Sequence, residues 1–507
     1  MHAAGRTRAH GVPHARWPLP DSHTEDAGAP RPLRVCVLQP DYASSSVDYR
    51  HYDPPRNLAP LLPGATVDHV FLDKRTVFAQ LRACAAERYD IFVNLCEGYL
   101  DWDVPSVDVI HALDALALPY TGPTAALYDP AKPLMKYVAY ASGVATPRHL
   151  VVTSLDDLEQ QLALQRTPLP FPLFVKPAHA GDSRGIDDDA RVSDADALRR
   201  TVARWLPEFP SLLVETYVDG PEYTVLVAAT PDGGVRAFRP VQYDFGDGAP
   251  FKTYAHKTSA LHPNANHPVD DPALASCLMD AATRIFRGFR GVGYARLDFR
   301  ADAAGTLHFL EINFTCSVFY PEDAAGSADH ILHFDGFGSR AFLRLIVAEG
   351  IARHARTRPT TAMRGDSIAG YGSFALVPFE AGDVVFPGET RPFNVATLPY
   401  VQQHWSAEQA AEFRRYAYPL ADGVYALWSD DPTAWRPQNH ACAPNTAFQG
   451  LDVIALRSIA VGEELTLDYG AAMNDLSEPF DCRCGSPTCR GRIVGQPGNS
   501  VAARLRA

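Results

Sequence analysis

At 507 residues the chain is long for one domain and suggests about three, each able to bury a full core. Hydrophobic content of 46% and charged content of 21% are those of an ordinary globular protein, while a net charge of -13 argues against an electrostatic grip on nucleic acid or an anionic membrane. Small molecules are the expected partners.

Residues 1–30 carry arginines but no continuous apolar segment, so they fail as a secretory signal and are expected to be a disordered lead-in. No run of about 20 apolar residues is present to span a bilayer, and the expected compartment is cytoplasmic. RVCVLQP (34–40) and YDIFVNLCE (89–97) are apolar strand candidates with a helical pattern between them, the start of an α/β layer. DVIHALDALALPYTG predicts a helix with a short strand behind it, and PLMKYVAYASG a helix that stops at Gly143, a C-cap position. From residue 171 strands are joined by Gly/Asp/Pro turns until the helical FLRLIVAEGIARHAR (342–356). RPTT (358–361) reads as a linker, and short strands and turns follow it.

GYARLDF (293–299) and LHFLEINF (307–314) are alternating runs joined by ADAAGT, in which Gly305 suits a hairpin turn. Residues two apart in a strand share a face, which sets Arg296 and Asp298 against core-facing Leu297 and Phe299, and Glu311 and Asn313 against Leu310 and Ile312. If Asp298 pairs with Glu311, Arg296 pairs with Asn313 and four polar side chains gather on one surface. Their hard oxygens suit Mg²⁺ carrying nucleotide phosphates; a solvated sheet face with a salt bridge is the alternative.

FVKPAHAGDSRGI (174–186) puts Lys176 at a strand end ahead of a loop with Gly181, Ser183 and Gly185, whose backbone N–H groups can cradle phosphate. The loop does not match the P-loop pattern, and Gly291-Val-Gly293 lacks the third glycine of a dinucleotide fingerprint. Only six lysines, at 74, 132, 136, 176, 252 and 257, stand among 46 basic residues. Arginine being the default cation, each lysine is a candidate for a place that wants a compact ammonium on a flexible stem.

LPYTGPTAALYDPAKPLMKYVAYASGVATP, FVKPAHAGDSRGI, LVETYVDGPEYTV, FKTYAHKT and GYARLDF followed by LEINF resemble, in order, the motifs of the ATP-grasp family, nearest its D-alanine:D-alanine ligase branch. The resemblance implies ATP held between two subdomains, with Lys132 and Lys176 at the α/β phosphates and the Gly181 to Gly185 loop, with Ser183, over the β/γ end. It implies Glu215, Tyr217 and Val218 in the adenine hinge, Glu222 at the ribose and Lys257, rather than Lys252, as the later family lysine. Asp298, Glu311 and Asn313 would bind two Mg²⁺, and Arg296 would sit at the reacting carboxylate. The chain departs from the branch at His179-Ala180, where relatives carry Arg-Glu, and in FTCSVFYPEDAAGSADH, where relatives turn through Pro-Gly; QPDYASSSVDYR shows no sign of the branch's amino-terminal proton relay. The resemblance therefore carries ATP-dependent ligation and leaves the acceptor open.

DCRCGSPTCRG (481–491) crowds Cys482, Cys484 and Cys489 together, one ligand short of a tetrahedral zinc site, and NHACAPN (439–445) supplies Cys442 as the fourth. Free reduced thiols are the alternative. Cys36, Cys84, Cys96, Cys277 and Cys316 are expected to be buried small hydrophobes of a reduced compartment. GYG (370–372), NHACAPN, GEELTLDY (462–469) and the cysteine tail together resemble a SET-domain methyltransferase with its post-SET zinc segment. That resemblance implies S-adenosylmethionine held near Gly370, Gly372, Asn439 and His440, with Tyr469 lining the channel of the target amine. Ala441 stands where relatives commonly carry serine, and no cysteine-rich segment precedes the domain.

The expected architecture is α/β and α+β multidomain: a disordered lead-in over 1–30, a three-subdomain ATP-grasp ligase domain over 31–358 (first subdomain about 31–120), a mostly-β SET domain over 362–477 and a post-SET zinc segment with tail over 478–507. The expected function is bifunctional, a carboxylate-amine ligase working through an acyl phosphate and an N-methyltransferase for a small amino-acid-derived product, with ATP, Mg²⁺, S-adenosylmethionine and Zn²⁺ as cofactors. Joining the two raises the local concentration of one site's product at the other. A protein lysine methyltransferase with a peptide-modifying ligase part, or a ligase whose SET part only binds, are the alternatives. A homo-oligomer is compatible with the sequence.

Overall fold

The apolar runs at the start of the chain build a parallel sheet. A computed structural model describes residues 31–45, 50, 53–100, 102–164, 168–179, 185–244, 265–365, 370–388, 393–428 and 436–504. In it β1 (Arg34–Pro40) lies between β2 (Thr66–Leu72) and β3 (Ile91–Asn94), with Val35 beside both Val67 and Ile91. β2 is an addition to the strands expected, since its sequence, TVDHVFL, is only half buried and carries little apolar signal. α1 (Val77–Ala86) fills the crossover to β3 that parallel pairing requires, and α2 (Val107–Ala115) follows. Behind α2 the expected short strand is reduced to a bridge between Phe92 and Tyr120.

α3 (Lys132–Ala141) closes at Gly143, which takes φ +71°. Next come β4 (His149–Val152), α4 (Leu155–Leu164), β5 (Leu173–Pro177), β6 (Arg191–Val192), α5 (Ala195–Trp205) and β7 (Leu212–Thr216). The strands form an antiparallel sheet in the order β4-β7-β5-β6, and the helices bury Leu158, Leu198 and Val202 with Val152, Val175 and Val214.

A larger antiparallel sheet occupies the middle of this part. Its strands are β8 (Glu222–Ala229), β9 (Val235–Ala237), β10 (Val241–Tyr243), β11 (Asn266–Pro268), β12 (Tyr294–Ala301) and β13 (Leu307–Asn313), ordered β11-β10-β8-β12-β13 with β9 on β8. α3 and α6 (Pro272–Gly288) cover one face through Val225, Val227, Ala295, Leu297 and Phe299. α7 (Ser327–Asp335) and α8 (Gly338–Thr357) cover the other through Leu226, Ala228 and Tyr294, together with Val35 and Ile91 of the parallel sheet. On that second face β12 is core at Tyr294 and turns polar at Arg296, Asp298 and Arg300. The change of character positions the site.

The hairpin register is the expected one, Asp298 opposite Glu311 and Arg296 opposite Asn313. One residue departs from the alternation. Phe299 faces Phe309 across a bulge, so Leu310 is left as the extra residue and lines the same cleft as Glu311 instead of opposing it. Phe299 and Phe309 are both fully buried with rings edge to face, 5.8 Å between centroids, and that aromatic pair draws Phe309 inward at Leu310's expense. Among the scattered cysteines Cys36, Cys96 and Cys316 are buried and Cys84 is half-buried, but Cys277 is exposed, one position off the α6 stripe that buries Leu278, Ala281, Ala282 and Ile285.

The chain parts into two compact units at Thr357–Arg358. The second is made of short pieces: β14 (Thr361–Gly365), β15 (Tyr371–Ala375), β16 (Val384–Phe386), β17 (Phe393–Thr397), α9 (Leu398–His404), α10 (Ala407–Tyr416), β18 (Tyr418–Ala421), β19 (Val424–Trp428), β20 (Asn439–His440), β21 (Thr446–Gln449), β22 (Asp452–Ala455), β23 (Thr466–Leu467), α11 (Tyr469–Ala472), β24 (Phe480–Asp481) and β25 (Arg492–Ile493). They pair as β14-β15, β16-β22-β21, β17-β19-β18, β20-β23 and β24-β25, and only β20-β23 is parallel. That pair sets Asn439 and His440 beside Thr466 and Leu467, bringing two distant segments to one place. Among the described residues no helix is long and apolar enough to cross a membrane.

Candidate functional site

In the first unit a cleft is lined from β5 and β7 on one side and β8, β12 and β13 on the other. Lys176, Glu215, Thr216, Tyr217, Val218, Glu222, Arg296, Asp298 and Glu311 all face it. At its inner end Glu215 is buried between two lysines, with Lys176 Nζ at 2.6 Å and Lys136 Nζ at 2.8 Å. Burial alone would push the Glu215 carboxyl up, yet the two ammonium groups hold it down at about 2. Burial lowers Lys136 to about 8 against the pull of Glu215, with Lys176 adding repulsion. Lys176 moves the other way: burial opposes, but Glu215 and Glu311 together outweigh it and raise its pKa.

Lys132, at the start of α3, reaches Glu311 at 3.7 Å, and Lys136 follows one turn later on the same helix face. On β12, Arg296 donates to both oxygens of Asp298 at 3.2 and 3.3 Å. Arg300 donates to Glu222 at 3.0 Å, to the Tyr217 hydroxyl at 2.8 Å and to the Val218 carbonyl at 3.1 Å, so one guanidinium ties the 217–222 segment to the sheet. Gly220 makes that approach feasible, because a Cβ there would stand 1.9 Å from the Ala301 carbonyl oxygen. Among the described residues the hydroxyls of Thr216 and Thr224 are buried in the cleft lining without a hydrogen-bond partner.

In the second unit, Asn439 donates to the Tyr371 carbonyl at 3.1 Å and to Glu464 at 2.7 Å. A Cβ on Gly372 would lie 2.3 Å from the same Glu464 carboxylate, and Gly370 takes φ +99°. His440 Nδ1 accepts the Tyr469 backbone N–H at 3.1 Å, while its Nε2 lies 3.4 Å from Cys442 Sγ. The Tyr469 hydroxyl donates to the Gln438 carbonyl at 2.6 Å, and burial pushes its pKa up to about 12. Tyr371, Tyr416, Trp428, Phe448, Tyr469 and Phe480 line the cleft that runs past it. The sulfurs of Cys442, Cys482, Cys484 and Cys489 lie within 4.8 Å of one another. Backbone N–H groups of Cys442, Cys484, Arg490 and Gly491 point at these sulfurs from 3.3 to 3.5 Å.

The family model for the D-ala D-ala ligase C-terminus matches residues 138–325, and that for the SET domain matches residues 370–470. The D-alanine–D-alanine ligase of Ectopseudomonas mendocina is 32% identical over 209 residues, which cover 40% of this chain and 61% of that relative. The D-alanine–D-alanine ligase of Bordetella petrii is 30% identical over 258 residues, 50% of this chain and 74% of the relative. The chain belongs to the D-alanine–D-alanine ligase family. A solved structure of the Bacillus anthracis D-alanine–D-alanine ligase complexed with ATP aligns over 64% of this chain and 99% of its own, with 16% identity and a TM-score of 0.47.

Within this D-alanine–D-alanine ligase-like unit the residues singled out in the sequence mostly meet. Lys176, Glu215, Tyr217, Val218, Glu222, Arg296, Asp298 and Glu311 share the cleft; Lys132 joins through Glu311, and Asn313 through its register opposite Arg296. Gly185 takes φ +70°, with Pro177 and Phe209 filling the space a Cβ would need. Gly181, Ser183 and Lys257 lie outside the described residues. Glu215 carries a task the sequence did not announce, compensating two buried ammonium groups. Lys136 was a candidate only as one of six lysines and had no role assigned, although it sits four residues after Lys132, and Arg300 was not singled out, although it continues the alternation of Arg296 and Asp298.

The donor sets fit the groups the family and domain imply. Asp298, Glu311 and Asn313 present hard oxygens on one face next to two orphan hydroxyls, a set suited to Mg²⁺ with phosphate oxygens. Four mutually close thiols, each sulfur met by a backbone N–H, suit a closed tetrahedral zinc site.

Proposed function

We propose that the first unit joins a small carboxylic acid to an amine at the expense of ATP, and that the SET domain transfers a methyl group from S-adenosylmethionine to an amine of the same small product or its precursor. The arrangement that carries the reading is the cleft where Lys176, Arg296, Asp298 and Glu311 meet, with Lys132 of α3 reaching Glu311 and Asn313 on the β12–β13 hairpin.

A carboxylate is a poor acyl donor. One of its oxygens takes the γ-phosphoryl group of ATP, releasing ADP, and the resulting acyl phosphate is attacked by a neutral amine; the tetrahedral adduct expels phosphate, and the amine nitrogen gives up a proton as the amide forms. Mg²⁺ held by Asp298, Glu311 and Asn313 would neutralise charge on the phosphate oxygens. Lys132 and Lys176 would take the remaining phosphate charge, the latter kept protonated by Glu215 and Glu311. Arg296, braced by Asp298, would meet the oxyanion of the tetrahedral adduct, a contribution of about 2.7 to 4 kcal/mol per donor in comparable sites. Arg300 would hold the 217–222 segment, with Thr216 and Thr224 offering hydroxyls to the nucleotide.

In the SET domain Tyr469 would align the incoming amine, its hydroxyl fixed by the Gln438 carbonyl, and Gly372, Asn439 and His440 would hold the methyl donor. The zinc knot would be structural, fixing the tail against His440.

Incubation of the full chain with ATP, Mg²⁺ and pooled amino acids, followed by S-adenosylmethionine, tests both halves by mass spectrometry. Expected are amide products with ADP and phosphate, absent in Asp298→Ala, and methylated derivatives absent in Tyr469→Phe. Nucleotide binding without any amide product from any pool would reject the ligase reading, and methylation of proteins but never of small amines would reject the small-molecule reading of the SET domain.

A further inference from the structure

Of the lysines the sequence singles out, Lys74 plays no part in the cleft. It stands two residues beyond β2, and its Nζ is ringed by oxygen: the carbonyls of Tyr99 at 3.1 Å, Leu100 at 3.0 Å, Trp102 at 2.6 Å and Val104 at 3.1 Å, the Ser106 hydroxyl at 3.2 Å and Asp108 Oδ1 at 3.7 Å. An ammonium has three N–H donors, so six oxygens around it form a bowl about a point charge rather than a set of paired bonds. Rings of backbone carbonyls replace the hydration shell of monovalent cations in the same way. The Ser106 hydroxyl donates to Asp108 Oδ1 at 2.6 Å, which turns its own lone pairs toward Lys74. Asp108 Oδ2 is buried and has no hydrogen-bond partner among the described residues, an oxygen suited to a metal-like cation and unused by the lysine. One carboxylate among neutral oxygens matches a single positive charge, whereas a divalent ion favours more carboxylates. The planar fork of arginine, the usual cation of this chain, cannot occupy such a bowl.

The bowl closes the loop from Glu97 to Ser106 on itself. Gly98 donates to the Pro105 carbonyl at 3.2 Å, and Tyr128 donates to the Gly98 carbonyl at 2.8 Å. Glu97, first in the loop, accepts from the Ser317 hydroxyl at 2.5 Å and from Arg56 at 3.4 Å. Ser317 lies four residues beyond Asn313, in the segment where the chain departs from its relatives.

We propose that Lys74 is a tethered monovalent cation. Its ammonium holds the 97–106 loop in one conformation and so sets Glu97 against Ser317; once the lysine is removed, the bowl accepts free potassium or ammonium ion in its place. Lys74 is thus a positioning residue for the neighbouring site, and its consequence for turnover rests on the ligase reading above, whereas the loop and the cation do not.

The test uses the full chain with Lys74→Met and Lys74→Arg, in choline, lithium or potassium chloride at equal ionic strength. Amide hydrogen exchange over 97–106 is followed by mass spectrometry, alongside ATP-dependent phosphate release from pooled amino acids. Lys74→Met is expected to exchange about tenfold faster than wild type in choline or lithium and to regain wild-type protection in potassium. Phosphate release should fall and recover in parallel, by about tenfold. Lys74→Arg should be loose in every salt, because its charge excludes the ion without filling the bowl. Wild-type protection in Lys74→Arg, or a Lys74→Met loop that is unaffected or does not respond to potassium, would overturn the proposal. If wild type releases no phosphate, the ligase reading fails alone and the exchange data still decide the clamp.

Discussion

Lys136 and Glu215 face each other at 2.8 Å inside the first unit, the lysine 1% and the glutamate 3% exposed, with Lys176 closing on the other carboxylate oxygen at 2.6 Å. Such a triad forms because each ammonium needs a counter-charge once water is excluded. Removing the shared carboxylate leaves two buried cations without the group they pair with. Glu215→Ala should therefore cost at least about 3 to 5 kcal/mol, read as a lowered urea midpoint of the first unit, whereas Lys136→Met should cost less because Glu215 keeps Lys176.

The same triad sets an acid limit. The Glu215 carboxyl is held at about 2, below the ordinary value of 4.5, so the folded state binds fewer protons than the unfolded one between those values. Its contribution, roughly 3 kcal/mol, is complete above pH 4.5 and disappears as the pH falls to about 2. Urea midpoints measured across that window should drop more steeply for wild type than for a double variant, Glu215→Leu with Lys136→Met.

Glu97 predicts the opposite slope. Burial, opposed by Arg56, raises its carboxyl to about 7, so the folded state holds the proton longer than the unfolded state does. Stability from this residue is present below pH 4.5 and declines as the pH rises through 7. Glu97→Gln should flatten the fall between those values, measured by thermal unfolding in buffers of matched ionic strength.

Asp298 both braces Arg296 and stands opposite Glu311. Asp298→Asn keeps the shape and removes the charge, and ATP-dependent phosphate release should fall by about 100-fold or more with little change in the unfolding midpoint. Retention of full turnover would mean that the polar face of the hairpin is not the reacting centre.

The cysteine cluster touches the second cleft through His440, whose Nε2 faces Cys442 and whose Nδ1 takes the Tyr469 N–H. Cys484→Ser should lower bound zinc from about one equivalent toward none and weaken S-adenosylmethionine binding, leaving phosphate release by the ligase unit intact. Metal analysis and calorimetry on the same preparation check both halves.

Much of this was legible in the residue order because it is periodic or local. Alternation in GYARLDF and LHFLEINF foretold a polar face of Arg296, Asp298, Glu311 and Asn313, since side chains two apart must share a side; the spacing of three cysteines foretold a knot that needed a fourth. The bulge at Leu310 was not legible, because it arises when Phe309 and Phe299 compete for one core and the backbone yields by a residue. Nor were the triad of Lys136, Lys176 and Glu215, the reach of Arg300 across to Tyr217, or the ring of carbonyls about Lys74. Each joins segments far apart in the chain, and a charge buried in a fold takes whichever partner the packing brings within hydrogen-bond distance. Periodicity decides which way a side chain points; only the closing of sheets and helices over one another decides what it meets.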